Sequence, residues 1–249
     1  MKTKLNPCRF MLSIVCKNSK EEMTKIHLTI IALLLSVNVF GQTKTAEEYG
    51  FIHLQFDYKS DKVDILIKSK AGEEHKKKPL FFFCQGSLPQ PLIKYDENGV
   101  YGLFPFNPDN LTNKYHLVIV SKPYIPLICD AKTLSNNHTY IDSTGHWTAK
   151  YSERNLLSYY VDRNIAVIKF LQKQDWVSKK QVVVAGHSEG STIAAKMANV
   201  SSLVTHLIYA SGNPMGRIMS MIQQGRAMET DTDSIKQGEA EIEYWQNVV

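Results

Sequence analysis

The sequence predicts an α/β fold on a mainly parallel, doubly wound sheet. Two observations carry this. Four continuous apolar runs, L-F-F-F-C (80–84), H-L-V-I-V-S (116–121), V-V-V-A-G (182–186) and H-L-I-Y-A-S (206–211), have the character of strands covered on both faces. Between and after them, apolar residues recur at three- and four-residue spacings, as amphipathic helices require. Strands alternating with helices imply a mainly parallel sheet with helices on both faces.

The elements follow in order. F-I-H-L-Q-F-D-Y (51–58) alternates apolar and polar residues, and V-D-I-L-I-K (63–68) reads as a second strand, so the two are expected to form a hairpin. The run Lys76-Lys77-Lys78 before Pro79 reads as a solvated turn. From Ser152 to Gln172, Leu156, Leu157, Tyr160, Val161, Ile165, Ile168 and Leu171 make one apolar stripe, with Ser152 as the expected N-cap. A second helix is expected over 189–200, and two more, richer in Gln, Glu and Met, over 215–228 and 234–249. The segments 85–114 and 122–151 are too long for simple connectors, so each is expected to carry function or short structure of its own. Both leave the sheet at strand C-termini, the edge where such folds bind ligands.

This divides the chain into a leader (1–41), a core (42–214) and an incomplete helical lid or cap segment (215–249). From Met23, an alternative start, the leader reads as a basic beginning, an apolar stretch Ile26–Phe40 and small Gly41 at a cleavage position. The stretch is short against the about 20 residues of a membrane span. It predicts an exported protein without a stable span, with a retained anchor as the rival. The formal charge is +5, but Lys2, Lys4, Arg9, Lys17, Lys20 and Lys25 concentrate it in the leader. The nearly neutral remainder gives no footprint for nucleic acid. Outside the leader, Cys84 and Cys129 show no zinc spacing. Two separate buried thiols are expected, with a disulfide as the alternative.

The chemistry lies in V-V-V-A-G-H-S-E-G-S-T-I-A-A-K-M-A (182–198). G-x-S-x-G after a buried strand and before a helix is the nucleophile-elbow pattern. The serine there adopts a strained backbone, so positions two before and two after it must be tiny, as Gly186 and Gly190 are. Ser188 is the candidate nucleophile. The helix that follows points its N-terminus at the reaction centre, where its dipole favours negative charge. An elbow needs an oxyanion hole. One donor is the backbone N–H of Glu189. The other is expected from the strand exit Gln85-Gly86-Ser87-Leu88-Pro89, through Ser87 N–H or, second, Leu88 N–H. Each such donor contributes about 3 kcal/mol to the transition state.

On the strand and Q-G-S loop at 80–87, the helix at 152–172 and G-H-S-E-G, the chain resembles the α/β-hydrolase family over roughly residues 51 to 212. Within it, the elbow is most similar to the serine peptidase and esterase branch related to prolyl oligopeptidases. The resemblance implies a serine–histidine–acid triad, an ester or peptide substrate, no metal and no organic cofactor. It places the acid and then the histidine after the serine, on later strands. Here no histidine follows His206, which is expected to start a buried strand, and Asp231 and Asp233 sit in a polar turn. The simplest account is a chain cut short, lacking its last strands and with them the acid and histidine. His146 or His138, with Asp142 or Asp130 orienting it, is the substitute base, since triads are defined by geometry and not by chain order. A metal site at His138, Asp142 and His146 would need a helix that Thr139, Ile141, Thr144 and Gly145 disfavour. His187 is expected to pack or bond locally. Tyr101, Phe104, Phe106, Tyr124, Trp147 and Trp245 are candidates for an apolar substrate pocket. Two functions therefore stand: a serine hydrolase working through an acyl-enzyme on Ser188, and a non-catalytic remnant of that fold.

Overall fold

The computed structural model describes residues 44–213 and, beyond them, 220–222, 226, 238–240 and 242–244. The leader, its cleavage position at Gly41, Asp231, Asp233 and Trp245 lie outside the described residues, as does most of 215–249. The chain clusters into two units, Met1–Thr45 and Ala46–Val249. Of the first, only Lys44 and Thr45 are described.

The second unit is organised by a six-stranded mixed sheet. Its strands are β1 (Ile52–Tyr58), β2 (Asp61–Lys68), β3 (Lys78–Cys84), β6 (His116–Val120), β8 (Val177–His187) and β9 (His206–Ala210), in the order β1-β2-β6-β3-β8-β9. β1 and β2 form the expected antiparallel hairpin, closed by a tight turn in which Lys59 takes φ 55°. β2 pairs antiparallel with β6, and the pairings β6–β3, β3–β8 and β8–β9 are parallel. The runs read as doubly covered behave so in β3, β6 and the inner part of β8, where Leu80, Phe82, Leu117, Val118, Val182 and Val184 are wholly buried. β9 departs from this. It is the edge strand among the described residues, and Leu207, Ile208 and Tyr209 are exposed. Its composition is that of a buried strand, but its far side has no described neighbour to cover it.

The two faces of the sheet are covered differently. One packs against the helices α3 (Leu157–Leu171) and α4 (Glu189–Val200), through Tyr160, Val167, Ile168, Ile193, Ala194 and Met197. The other is covered by Leu92, Ile93, Leu103, Phe104 and Phe106 from the long segment after β3, together with Tyr49 and Phe51. Both long helices among the described residues thus lie on one face. On the opposite face, aromatic side chains of a connector do the work expected of helices. Phe104 and Phe106 meet Phe83 edge-on at centroid distances of 5.9 and 5.6 Å.

The long segments do carry structure of their own. β4 (Ile93–Asp96) and β5 (Gly99–Tyr101) from the first pair with β7 (Ile128–Asp130) from the second in a three-stranded sheet, order β5-β4-β7. The first segment also holds the single-turn helix α1 (Asp109–Thr112).

The helix expected from Ser152 to Gln172 is two helices. α2 (Ala149–Arg154) is capped by Thr148, whose hydroxyl accepts from the Tyr151 N–H, and not by Ser152. The chain breaks at Asn155 and Leu156 before α3 begins. Leu156 and Leu157 consequently leave the predicted stripe and are exposed.

Lys78 also corrects the sequence reading. It opens β3 and is buried, its Nζ 2.5 Å from a Glu73 carboxylate oxygen and 2.8 Å from the Thr112 carbonyl. Cys84 and Cys129 are free thiols, the first buried and the second half-buried. Burial pushes the Cys84 thiol up to about 12.

Candidate active site

Four local features build the site at the C-terminal edge of β3, β6 and β8. The first is the turn itself. β8 runs out at His187, and Ser188 takes φ 56° and ψ −127° as the N-cap of α4. Positive φ is uncommon for a residue with a side chain and is retained only where the surroundings over-determine it. Here they do. The Ser188 N–H donates to the Ala210 carbonyl of β9 at 3.1 Å, and the Ser191 N–H donates to the Ser188 carbonyl at 3.0 Å. A Cβ on Gly186 would lie 2.1 Å from the Gly190 carbonyl oxygen, and one on Gly190 would lie 2.0 Å from the Cys84 carbonyl oxygen. Gly186, Gly190 and the end of β3 are therefore in backbone contact. Ser188 is exposed at the tip of this arrangement, and Glu189 opens the helix with its early N–H groups free of intrahelical acceptors.

The second feature is the loop after β3. A Cβ on Gly86 would lie 3.6 Å from Ser188 Cβ, an ordinary contact. The loop is therefore beside the serine, and Gly86 is not sterically compelled there as Gly186 and Gly190 are. Tyr151, fully buried in α2, donates its hydroxyl to the Ser87 carbonyl at 3.0 Å. Its ring also meets Trp147 edge-on. The Gln85 amide donates to the Val120 carbonyl at 2.7 Å. Both ends of the Gln85-Gly86-Ser87 stretch are thus anchored to neighbouring elements.

The third feature is a pair of buried cations under the turn. Lys122, which follows β6, sits 3.3 Å from the Glu189 carboxylate and 4.5 Å from the centre of the Tyr160 ring. Desolvation lowers its pKa, opposed by the charge of Glu189. Arg163 lies over the Tyr159 and Tyr160 rings, 5.6 and 5.1 Å from their centres, and donates to the Ser121 carbonyl at 3.0 Å and to Asn164 Oδ1. Neither cation had a signal in the sequence, because a lysine after a strand and an arginine within a helix usually face water.

The fourth feature is an open cleft of about 230 Å³ bordered by Gln85, Gly86, Leu92, Lys94, Phe104 and His187. His187 is exposed on its wall, where local packing was expected. The other pocket candidates scatter. Phe106 packs into the core, Tyr124 donates to Asp61, Trp147 is exposed beside Tyr151, and Tyr101 donates to Asp96 and meets the His138 ring.

The structure does not assemble His146, His138, Asp142 and Asp130 into a base. Asp142 turns its carboxylate onto its own loop, accepting from the Thr144 N–H and hydroxyl and from the His146 N–H. Those bonds, the Thr144 hydroxyl first, hold its carboxyl below the usual range. Asp130 likewise caps the turn that follows it, accepting from the Lys132 N–H. Among the described residues no hydrogen bond joins a histidine ring to the Ser188 hydroxyl, and no cluster of three His, Cys, Asp or Glu is placed to hold a metal.

The fold is of the α/β-hydrolase type. Its own sheet order and the strand–turn–helix at Ser188 carry that statement. No family model and no curated protein matches the sequence. Among solved structures, the chain is similar to an acylaminoacyl peptidase of Pyrococcus horikoshii, at 15% identity and TM-score 0.45 over 72% of this chain and 24% of that one. It is also similar to Est1E of Butyrivibrio proteoclasticus, at 14% identity and TM-score 0.41 over 71% of this chain and 56% of that one. A third similarity is to prolyl oligopeptidase B of Galerina marginata, at 11% identity and TM-score 0.45 over 65% and 20%. The chain thus spans about a fifth to a quarter of the length of the two peptidases and about half that of Est1E.

Proposed function

We propose that this chain is a serine hydrolase in which Ser188 attacks the carbonyl of an ester or amide, in a small-molecule or peptide substrate. One observation carries the reading: Ser188 is held at φ 56° by glycine backbones that admit no side chain, with its side chain exposed at the start of a helix. Strain of this kind persists where function requires it. Ser188 Oγ bonds to the carbonyl carbon as its proton passes to a base. The carbonyl oxygen becomes an oxyanion accepting from the N–H groups of Glu189 and Ser87. Collapse expels the alcohol or amine with a proton and leaves the acyl-enzyme, which water cleaves. The residues supplying these roles need neither metal nor organic cofactor. The leader 1–41 makes the enzyme an exported one in this reading, and among the described residues no helix is long and apolar enough to cross a membrane.

A fluorophosphonate probe tests the central step. Labelling is expected on Ser188, found by peptide mapping, and none in Ser188→Ala. Silence in a folded protein supports the second reading, a non-catalytic remnant, which is favoured by the lack of a histidine bonded to Ser188 among the described residues. His146→Ala that labels as fast as wild type removes His146 from the reaction.

Lys122→Met separates chemistry from stability. The methionine removes a desolvated ammonium, and Glu189, about a third exposed, can be solvated without it. Stability should shift by less than about 1 kcal/mol. Labelling should slow by about tenfold, because Lys122 fixes the residue whose N–H faces the oxyanion and contributes positive potential there. Thermal unfolding beside labelling kinetics checks both.

A further inference from the structure

We propose that the cleft beside Ser188 binds a substrate bearing a carboxylate, and that Lys94 pairs with it. This rests on the reading of Ser188 as the nucleophile. Three lysines among the described residues are buried to more than nine-tenths: Lys78, Lys94 and Lys122. Lys78 has Glu73 at 2.5 Å, and Lys122 has Glu189 at 3.3 Å. Lys94 has no carboxylate partner among the described residues. Its Nζ lies 3.3 Å from the Pro91 carbonyl and 3.4 Å from Gln90 Oε1, both beyond the ordinary range of about 2.7–3.2 Å for such bonds. A buried ammonium is costly unless its charge is paired, and among the described residues this one has only two neutral acceptors at long distance. Desolvation lowers its pKa, and no described charge opposes that shift.

The position says where that partner enters. Lys94, Gln90 and Pro91 border the cleft of about 230 Å³ that Gly86 and His187 also border. Gly86 is the residue whose Cβ would touch Ser188 Cβ at 3.6 Å. The cleft therefore joins the loop beside Ser188 to the Lys94 ammonium. Leu92, Leu103 and Phe104 also line it. A compact acid with an apolar spacer fits this pattern: the scissile carbonyl at Ser188 and a carboxylate at Lys94. A charge-assisted pair is among the stronger single contacts available to a small ligand.

The test reads binding, so that it stands apart from turnover. Ser188→Ala keeps the cleft and cannot acylate. It is titrated calorimetrically with monobenzyl glutarate, which carries one carboxylate, and with the neutral methyl ester of the same compound. The anion is expected to bind about 10- to 100-fold more tightly, and adding Lys94→Met should remove that preference. Equal affinities, no binding of either ligand, or a preference that survives Lys94→Met each overturn the proposal. The comparison of the two ligands needs no substitution at Lys94, so it stands even where Lys94→Met fails to fold. Fluorophosphonate labelling of the wild-type chain is read in parallel. Labelling without anion preference removes the Lys94 site alone, and preference without labelling removes the hydrolase reading alone.

Discussion

Gly190→Ala is expected to destabilise the protein by about 3 kcal/mol or more and to abolish labelling of Ser188. The new methyl would sit 2.0 Å from the Cys84 carbonyl oxygen and 2.6 Å from that of Gln85. Both obstacles are backbone, one at the end of β3, a central strand of the sheet, and one at the residue that follows it. No rotamer change relieves such an overlap. Either α4 lifts away from the sheet or β3 moves, and each movement takes the Ser188 turn with it. Gly86→Ala is the control. Its methyl would meet nothing closer than 3.6 Å, so stability should change by less than about 1 kcal/mol. Urea unfolding of the two variants checks the pair, and equal stabilities would refute the close backbone packing of α4 on β3.

Asp61→Ala should cost about 2–4 kcal/mol at neutral pH. Asp61 is buried at the start of β2 and accepts from three partners: Tyr124, Arg154 Nε at 2.8 Å and the Tyr159 hydroxyl at 2.8 Å. These tie the hairpin to α2, α3 and the loop after β6. Alanine leaves the Tyr159 hydroxyl buried without its acceptor, while Arg154, a third exposed, recovers water. Burial alone would raise the Asp61 carboxyl, but the three hydrogen bonds and the Arg154 charge together hold it below its ordinary value. A carboxyl lowered in the folded state stabilises fully above the unfolded value of about 3.9 and loses that contribution as pH falls through the folded one. Wild-type stability should therefore fall on acidification below about pH 4 more steeply than that of Asp61→Ala. Urea midpoints at neutral and acid pH read the difference, and parallel pH profiles would rule it out.

How far the sequence reached is clearest at particular residues. The elbow was legible because its constraint is local: a tight turn between a strand and a helix leaves space only for glycine two residues to each side. The hairpin was legible by its alternation, and α4 by its spacing from Glu189 to Val200. The break between α2 and α3 was not. Ser152 is a good N-cap residue, but Thr148 takes that role because Tyr151 is drawn inward to reach the Ser87 carbonyl. Lys78 read as part of a solvated run, and its burial depends on Glu73 and Thr112 from other segments.

By itself, the sequence determined the covered strands β3, β6 and β8, the strand–turn–helix around Ser188 and the glycines that make the turn possible. These follow from periodicity and backbone sterics within a few neighbouring residues. Only the tertiary structure decided which cations go inside, which of them has a carboxylate and which faces the cleft. Lys94 and Lys122 look alike along the chain, and their difference arises from residues tens of positions away. Burial and charge pairing are long-range properties, fixed when the sheet brings the ends of β3, β6 and β8 to one edge.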